Sequence, residues 1–291
     1  MLKVGLIGNA GTMKSHVRSL KNVKGVQIIG KSSVGLMDQA ENRDLSFPEY
    51  TRNELIDAAE VLVVDNSSLL LPDLLKTAIK NNKHLYIADL PVLAPEQCAD
   101  LIKLADEART VVRVRNPLLH EPLTNWTANH WQEPAYLSIF ESHPELPDKK
   151  DFLLQLLFFT FSLFRSAPQK IRASGIHQSG TPFIFVNLRL DYSTYSTVNI
   201  ELLAGQNGCR SIKAVMPGKI LEGNAVTGKC TINQQETSLL LPDDKSIAEF
   251  VSTAGSETFY QLSNLTTYHS ALITLEQVLG KIELYTPWRQ G

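Results

Sequence analysis

Several signatures that would fix the class of this 291-residue chain at once are missing. No charge of one sign dominates: 28 Lys and Arg stand against 30 Asp and Glu, for a formal net charge of −2. That balance gives no basic footprint for nucleic acid and no basic tract for an anionic membrane. Cysteine is scarce. Cys98, Cys209 and Cys230 are widely spaced and odd in number. They make neither a disulfide framework nor a metal-ligand pattern, and they suit a reducing cytoplasm. The seven histidines show no ligand spacing either, so no metal is expected. The most apolar stretch, "FLLQLLFFTFSLF" at 152–164, falls short of the ~20 residues a spanning helix needs and reads as a buried helix. The first strand begins within a residue or two of Met1, so no signal peptide is expected. Internal repeats and low-complexity segments are also missing.

What is present is the composition of an ordinary globular protein, 43% hydrophobic and 20% charged. The length allows one large domain or two ordinary ones. Over residues 1–115, strands and helices alternate. "LKVGLIG" (2–8), "VQIIG" (26–30), "EVLVVDN" (60–66), "HLYIAD" (84–89) and "TVVRVR" (110–115) are short apolar runs of the kind found in buried parallel strands. Helices are expected between them. One carries Met13, Val17 and Leu20, and two others, 71–82 and 94–108, each carry a proline at the start. This is an α/β pattern, a Rossmann-type doubly wound parallel sheet.

From 116 the pattern changes. After the 152–164 helix come alternating segments such as "KIRASGIH", "PFIFVNLRLDY", "STVNIELLA", "CRSIKAVM", "AVTGKCTI" and "TSLLLP", separated by turns that include Pro217-Gly218. They predict an α+β domain, 116–291, built on a large, mostly antiparallel sheet with helices on one face. A closing helix is expected at 266–279, near the domain junction, with Gly280 as its cap. Val186, Leu188, Leu190, Val198, Ile200 and Leu202 read as apolar positions split between the faces of that sheet, enough to mark an interface.

Three stretches carry candidate ligand groups. "KVGLIGNAGTMKSH" (3–16) ends a strand in a small-residue turn. Of the G-x-G-x-x-G spacing it keeps Gly8, with Ala10 and Met13 in the second and third slots. With Asn9, Gly11 and Thr12, this turn would offer helix N–H groups to a pyrophosphate; the alternative is a plain strand-to-helix turn. Lys31, Ser32 and Ser33 close the second strand where an NAD site carries an acid, so they favour NADP over NAD; otherwise they are solvated polar residues. Asn66, Ser67 and Ser68 face the carboxyl edge of the sheet and suit ribose or nicotinamide, or simply cap a helix. His120 and His143 lie in loops and suit either a cleft or the surface.

Four stretches in order resemble the family of glucose–fructose oxidoreductase, inositol dehydrogenase and MocA (Gfo/Idh/MocA). "VGLIGNAGTMKSH" is similar to its V-G-I-I-G-x-G-x-x-G-x-x-H opening. "LLKTAIKNNKHLYIADLPVLAPEQCADLIKLADEA" resembles its segment around E-K-P, "DFLLQLLFFTFSLF" its D-x-G-x-H-x-x-D helix, and "HSALITLEQVLGKIELYTP" its closing helix and final strand. The resemblance implies an NAD(P)-dependent oxidoreductase of a sugar or polyol, with Asp89 and Pro91 beside the cofactor and sheet-to-sheet homodimers. It also places substitutions where the chemistry belongs. The lysine slot holds Leu90, the histidine slot Gln155 and the second acid slot Phe158, while Asp151 matches the first acid. Neither Leu nor Gln works as a general acid or base near neutral pH. Lys149, Lys150 and His120 are the substitutes within reach of the sequence. On this alignment the family's hydride transfer is crippled, and three readings follow: an active NAD(P)-dependent sugar or polyol oxidoreductase with substituted catalytic groups, a non-catalytic dinucleotide- or sugar-binding regulatory protein, or a structural oligomerisation module that has lost its ligand.

Overall fold

A computed structural model describes residues 1–34, 46–143, 149–164, 166–177, 183–204, 208–225, 229–240 and 244–285. The chain forms two compact units, one of 1–115 with 244–269 and the other of 116–243 with 270–291.

The first unit is built on five parallel strands: β1 (Leu2–Asn9), β2 (Val26–Val34), β3 (Val61–Val64), β4 (His84–Ile87) and β5 (Val112–Val114). Their order is β2-β1-β3-β4-β5. Helices α1 (Ala10–Lys21), α2 (Arg52–Ala58), α3 (Pro72–Lys80) and α4 (Pro95–Ala108) connect them. In α3 the proline fills the first helical position, and Leu75, Ala78 and Ile79 form the buried stripe that their spacing predicts. On one face of the sheet Val4, Leu6, Val61, Val63 and Tyr86 form a single core with Met13, Val17 and Leu20 of α1. The other face is tight: a Cβ on Gly5 would sit 2.9 Å from Leu55 Cγ of α2.

The same core takes in Ile247, Phe250, Val251 and Phe259. They come from α7 (Ser246–Ser252) and a 3₁₀ turn, Glu257–Leu262, neither of which the sequence reading foresaw. The expected single division after residue 115 therefore omits a return segment, 244–269, which completes the first unit. A cover of only seven helical residues shows too few turns to be read from periodicity.

The second unit carries β6 (Tyr136–His143), β7 (Lys170–His177), β8 (Phe183–Asp191), β9 (Thr197–Ala204), β10 (Cys209–Met216), β11 (Lys219–Asn224), β12 (Cys230–Ile232) and β13 (Gln235–Thr237). The order is β13-β12-β11-β10-β6-β9-β8-β7, antiparallel throughout except for the parallel pair β6 and β9. The α+β expectation holds, with β6 as an added strand. The β10–β11 turn has Pro217 followed by Gly218 at φ 72°, the left-handed position that glycine fills without strain. Helices α5 (Pro122–His130) and α6 (Lys149–Leu163) belong to this unit, and α8 (Leu265–Tyr285) continues into it.

Two expectations are corrected here. Val186 pairs with Leu202, Leu188 with Ile200 and Leu190 with Val198, so all six residues share one face rather than two. All six are buried within the chain and leave no exposed patch. The closing helix does not stop at Gly280 with a strand beyond it, because α8 runs on to Tyr285. A glycine inside a helix costs only ~1 kcal/mol, which the apolar residues around it outweigh.

Candidate functional site

The turn after β1 contains no loop. Asn9 ends the strand at φ −79°, ψ 134°, and Ala10 begins α1. The first N–H groups of a helix need partners from outside it. Here the Asn9 side chain caps nothing and the first turn of α1 holds no acid. Asp65, next after β3, brings an acid to this turn. Its carboxylate accepts the Asn9 backbone N–H and the Thr12 hydroxyl, and Oδ1 lies 2.5 Å from His16 Nε2. Burial works against the charged form, but His16, Thr12 and Asn9 together hold the Asp65 carboxyl below its ordinary value.

This contact explains Gly8. A Cβ there would lie 2.5 Å from Asp65 Cβ, so the glycine gives room to an aspartate side chain. Ala10 and Met13, in the other two glycine slots, are buried in the core, where the Met13 side chain packs α1 to the sheet. Gly11 faces open space.

The end of β2 follows a similar pattern. Lys31 pairs by backbone with the 48–50 segment, donating to Pro48 O at 2.9 Å and accepting from Tyr50 N at 2.8 Å. The ladder with β1 carries the strand past the expected residue 30 to Val34. The bridge to 48–50 sets Glu49 beside the expected phosphate ligands. Ser33 N and Oγ donate to Glu49 Oε1 at 2.6 and 2.9 Å, and Lys31 Nζ lies 3.7 Å from Oε2. Ser32, between them, points to the opposite side of the strand.

At the ends of β3 and β4 the polar groups serve one another. Asn66 Oδ1 accepts from Ser68 N at 3.0 Å, capping a 3₁₀ turn. Ser67 N donates to the Asp89 carboxylate at 2.9 Å, and Ser67 Oγ to Leu90 O at 3.3 Å. Burial raises the Asp89 carboxyl above its ordinary value. Pro91 O accepts the Tyr268 hydroxyl at 2.6 Å. Ser67, Asp89 and Leu90 are thus brought together, and Lys31 and Ser33 share Glu49.

In the second unit, Asp151, Gln155 and Phe158 stand at i, i+4 and i+7 on one side of α6. Asp151 is exposed, Gln155 half-buried and Phe158 only 1% exposed. Lys149 and Lys150 open the helix, where Lys150 is exposed and the Lys149 side chain lies outside the described residues. His120 closes a 3₁₀ turn, Pro117–His120.

The sequence reading missed a cluster on the helix-facing side of the second sheet. Arg210 sits opposite Glu141 in the β10–β6 pair. Its Nε and Nη2 donate to the two Glu141 oxygens, Nη2 at 3.0 Å, and Nη1 donates to Glu121. The guanidinium carbon lies 5.8 Å from the centre of the Phe152 ring, whose edge meets His143 at 6.2 Å. Burial raises the Glu141 carboxyl against the pull of Arg210. For Arg210, burial opposes the charge and the two glutamates more than restore it. Glu121, Glu141, His143, Cys209 and Arg210 line a cavity of about 280 Å³. Its signal was an arginine and a glutamate each breaking an inward apolar row, legible only once the strands are paired.

No protein-family model and no curated protein matches the chain. Solved structures do match it. The UDP-N-acetylglucosamine 3-dehydrogenase of Acidithiobacillus ferrooxidans is 15% identical with a TM-score of 0.77, over 98% of either chain. A dehydrogenase of Clostridium difficile reaches 13% and 0.77, over 97% of this chain and 99% of its own. The biliverdin reductase of a Synechocystis species, solved with biliverdin and NADP⁺, reaches 13% and 0.74 over the same shares. The chain has the fold of these dehydrogenases and reductases, and the fold expected from the sequence resemblance is the fold found.

Proposed function

We propose that the chain is a divergent member of the glucose–fructose oxidoreductase, inositol dehydrogenase and MocA family that binds a sugar- or polyol-like molecule and does not run the family's hydride transfer. The observation carrying this reading is Phe158. At the position where the resemblance sets an acid stands a ring only 1% exposed, flanked by the buried Leu157 and Phe159. No carboxylate occupies that position, the amide of Gln155 cannot take a proton, and Leu90 has no proton to give. General acid–base help is worth ~10²–10⁴ in rate, so what remains without it is slow.

The ligand class draws support from the Arg210 cavity. Glu121 and Glu141 line it with oxygens of the kind that accept from hydroxyl groups, Arg210 holds them in place, and the Phe152 ring lies alongside. A UDP-sugar dehydrogenase among the similar structures points the same way. The expected homodimer rests on the other sheet face, where Tyr136, Phe140, Phe185, Leu203 and Val215 lie among charged residues without being buried. The compartment we assign is the reducing cytoplasm, because Cys98, Cys209 and Cys230 are all free thiols. No described helix is long and apolar enough to cross a membrane.

The test is an assay of NADH and NADPH oxidation, and of NAD and NADP reduction, against sugars, inositols and keto-sugars. The expected turnover is far below ~1 s⁻¹, the floor of ordinary enzymes. Turnover at or above it overturns the reading and sends the search for a base to Lys149, Lys150 and His120. Thermal shift with the same panel reads binding: a true ligand at 100 times its Kd adds ~2.7 kcal/mol.

A further inference from the structure

The structure assigns Asp65 and Glu49 the part of built-in anions, two carboxylates of the chain standing where a dinucleotide would set its pyrophosphate and its 2′-phosphate. The two places are the N-terminus of α1 and the end of β2, and in an α/β unit of this kind they receive those groups. Six donors at these two places are engaged by the chain's own carboxylates. The Asn9 N–H, the Thr12 hydroxyl and His16 meet Asp65; Ser33 N, Ser33 Oγ and Lys31 meet Glu49.

The fit is structural, not incidental. Gly8 lacks the Cβ that would strike Asp65 at 2.5 Å. A Cβ on Gly30 would strike the Tyr50 ring at 2.3 Å, so Gly30 admits the segment that carries Glu49. Both glycines therefore serve the internal carboxylates. A phosphate entering either place would meet a like charge and compete with it for these donors. The residues present do not fit a dinucleotide. This inference concerns the first unit alone and does not rest on the sugar- or polyol-binding reading.

The test measures binding of inorganic pyrophosphate, NADP⁺ and NAD⁺ by calorimetry to the wild-type protein and to Asp65→Ser, Asp65→Asn and Asp65→Ser/Glu49→Gln. Wild type is expected to show no saturable binding at millimolar ligand. Asp65→Ser should gain at least about tenfold for pyrophosphate, a factor that calorimetry resolves readily. Asp65→Asn, which keeps the packing against Gly8 and removes the charge, should gain in the same direction. Adding Glu49→Gln should favour NADP⁺ over NAD⁺, since only NADP⁺ carries the 2′-phosphate. A folded Asp65→Ser that binds no better than wild type overturns the inference, as does tight binding of NADP⁺ by wild type. If neither Asp65 variant folds, amide spectra of wild type with pyrophosphate decide. Unmoved signals for Asn9, Ala10, Gly11 and Thr12 support the inference, and saturable shifts overturn it. A wild type that binds no dinucleotide and shows no thermal shift with any sugar or polyol, beside an Asp65→Ser that gains pyrophosphate, would sink the proposed function and leave this inference standing. Turnover of NADH or NADPH by wild type would sink both.

Discussion

The Tyr86 hydroxyl donates to Ser246 Oγ at 2.6 Å, because Ser246 has already given its own proton to Asp244 Oδ1 at 2.5 Å. Arg115 holds the far oxygen of Asp244 at 2.9 Å, so a four-residue relay pins the start of α7 to the carboxyl edge of the first sheet. Tyr86→Phe removes one bond and should cost about 1 kcal/mol. Ser246→Ala also strands the buried Tyr86 hydroxyl and should cost more, ~1–3 kcal/mol. Urea unfolding measures both. Burial pushes the Tyr86 phenol up to about 12, so absorbance titration should find it un-ionised at pH 10.

Gly8→Ala should destabilise by ~1–3 kcal/mol through overpacking against Asp65. The partner change Asp65→Gly removes the atom that the new methyl would strike. The double variant should then lose less than the sum of the two single losses, and a thermodynamic cycle from thermal melts reads that coupling. Strict additivity would mean that the two residues do not share the space.

Asp65 also sets a pH dependence. Its folded pKa is lowered, so its stabilising contribution is complete above the unfolded carboxylate value and is lost as pH falls through the folded one. Asp89 and Glu141 act with the opposite sign. Their folded values are raised, so their burial costs stability as pH rises from the unfolded value through the folded one. The gap in melting temperature between wild type and Asp65→Asn should therefore be wide at pH 7 and close as the solution is made acid.

Arg210→Met should be severely destabilising, about 3–5 kcal/mol, because it leaves Glu141, whose side chain is 5% exposed, with its charge uncompensated. Replacing Glu141 with Gln in the same chain should recover part of the loss. Chemical denaturation of the single and double variants checks the order.

Light scattering at micromolar concentration should find a dimer. Charges placed at Phe140 and Leu203, on the sheet face away from the Arg210 cluster, should give a folded monomer.

The parallel sheet was legible because buried strands such as Val61–Val64 are all apolar and the intervening helices keep a 3.6-residue stripe. The candidate site was legible only as a list of small and polar residues. What decides it is long-range: Asp65 reaches back 49 residues to His16, and Arg210 reaches 69 residues to Glu141. Periodicity carries no trace of such pairs. In the 65–68 stretch the amide and hydroxyls carry the local signal of a ligand edge, while Asp65, the acid beside the turn, carries none. Glycine at position 8 misled for a related reason, since the space it leaves can admit a ligand or a neighbouring side chain.

The return of 244–269 to the first unit also governs the order in which the chain is completed during synthesis. When residues 1–115 have emerged, Val4, Leu6, Val63 and Tyr86 still lack Ile247, Phe250 and Phe259. The whole of 116–243 must be made before that cover arrives. On the ribosome the first unit waits with one sheet face partly bare, the kind of surface that recruits chaperones or associates wrongly. A fragment ending near residue 115 should therefore aggregate. A circular permutant that begins at 244 and joins the old termini would deliver α7 ahead of β1, letting the first unit close early.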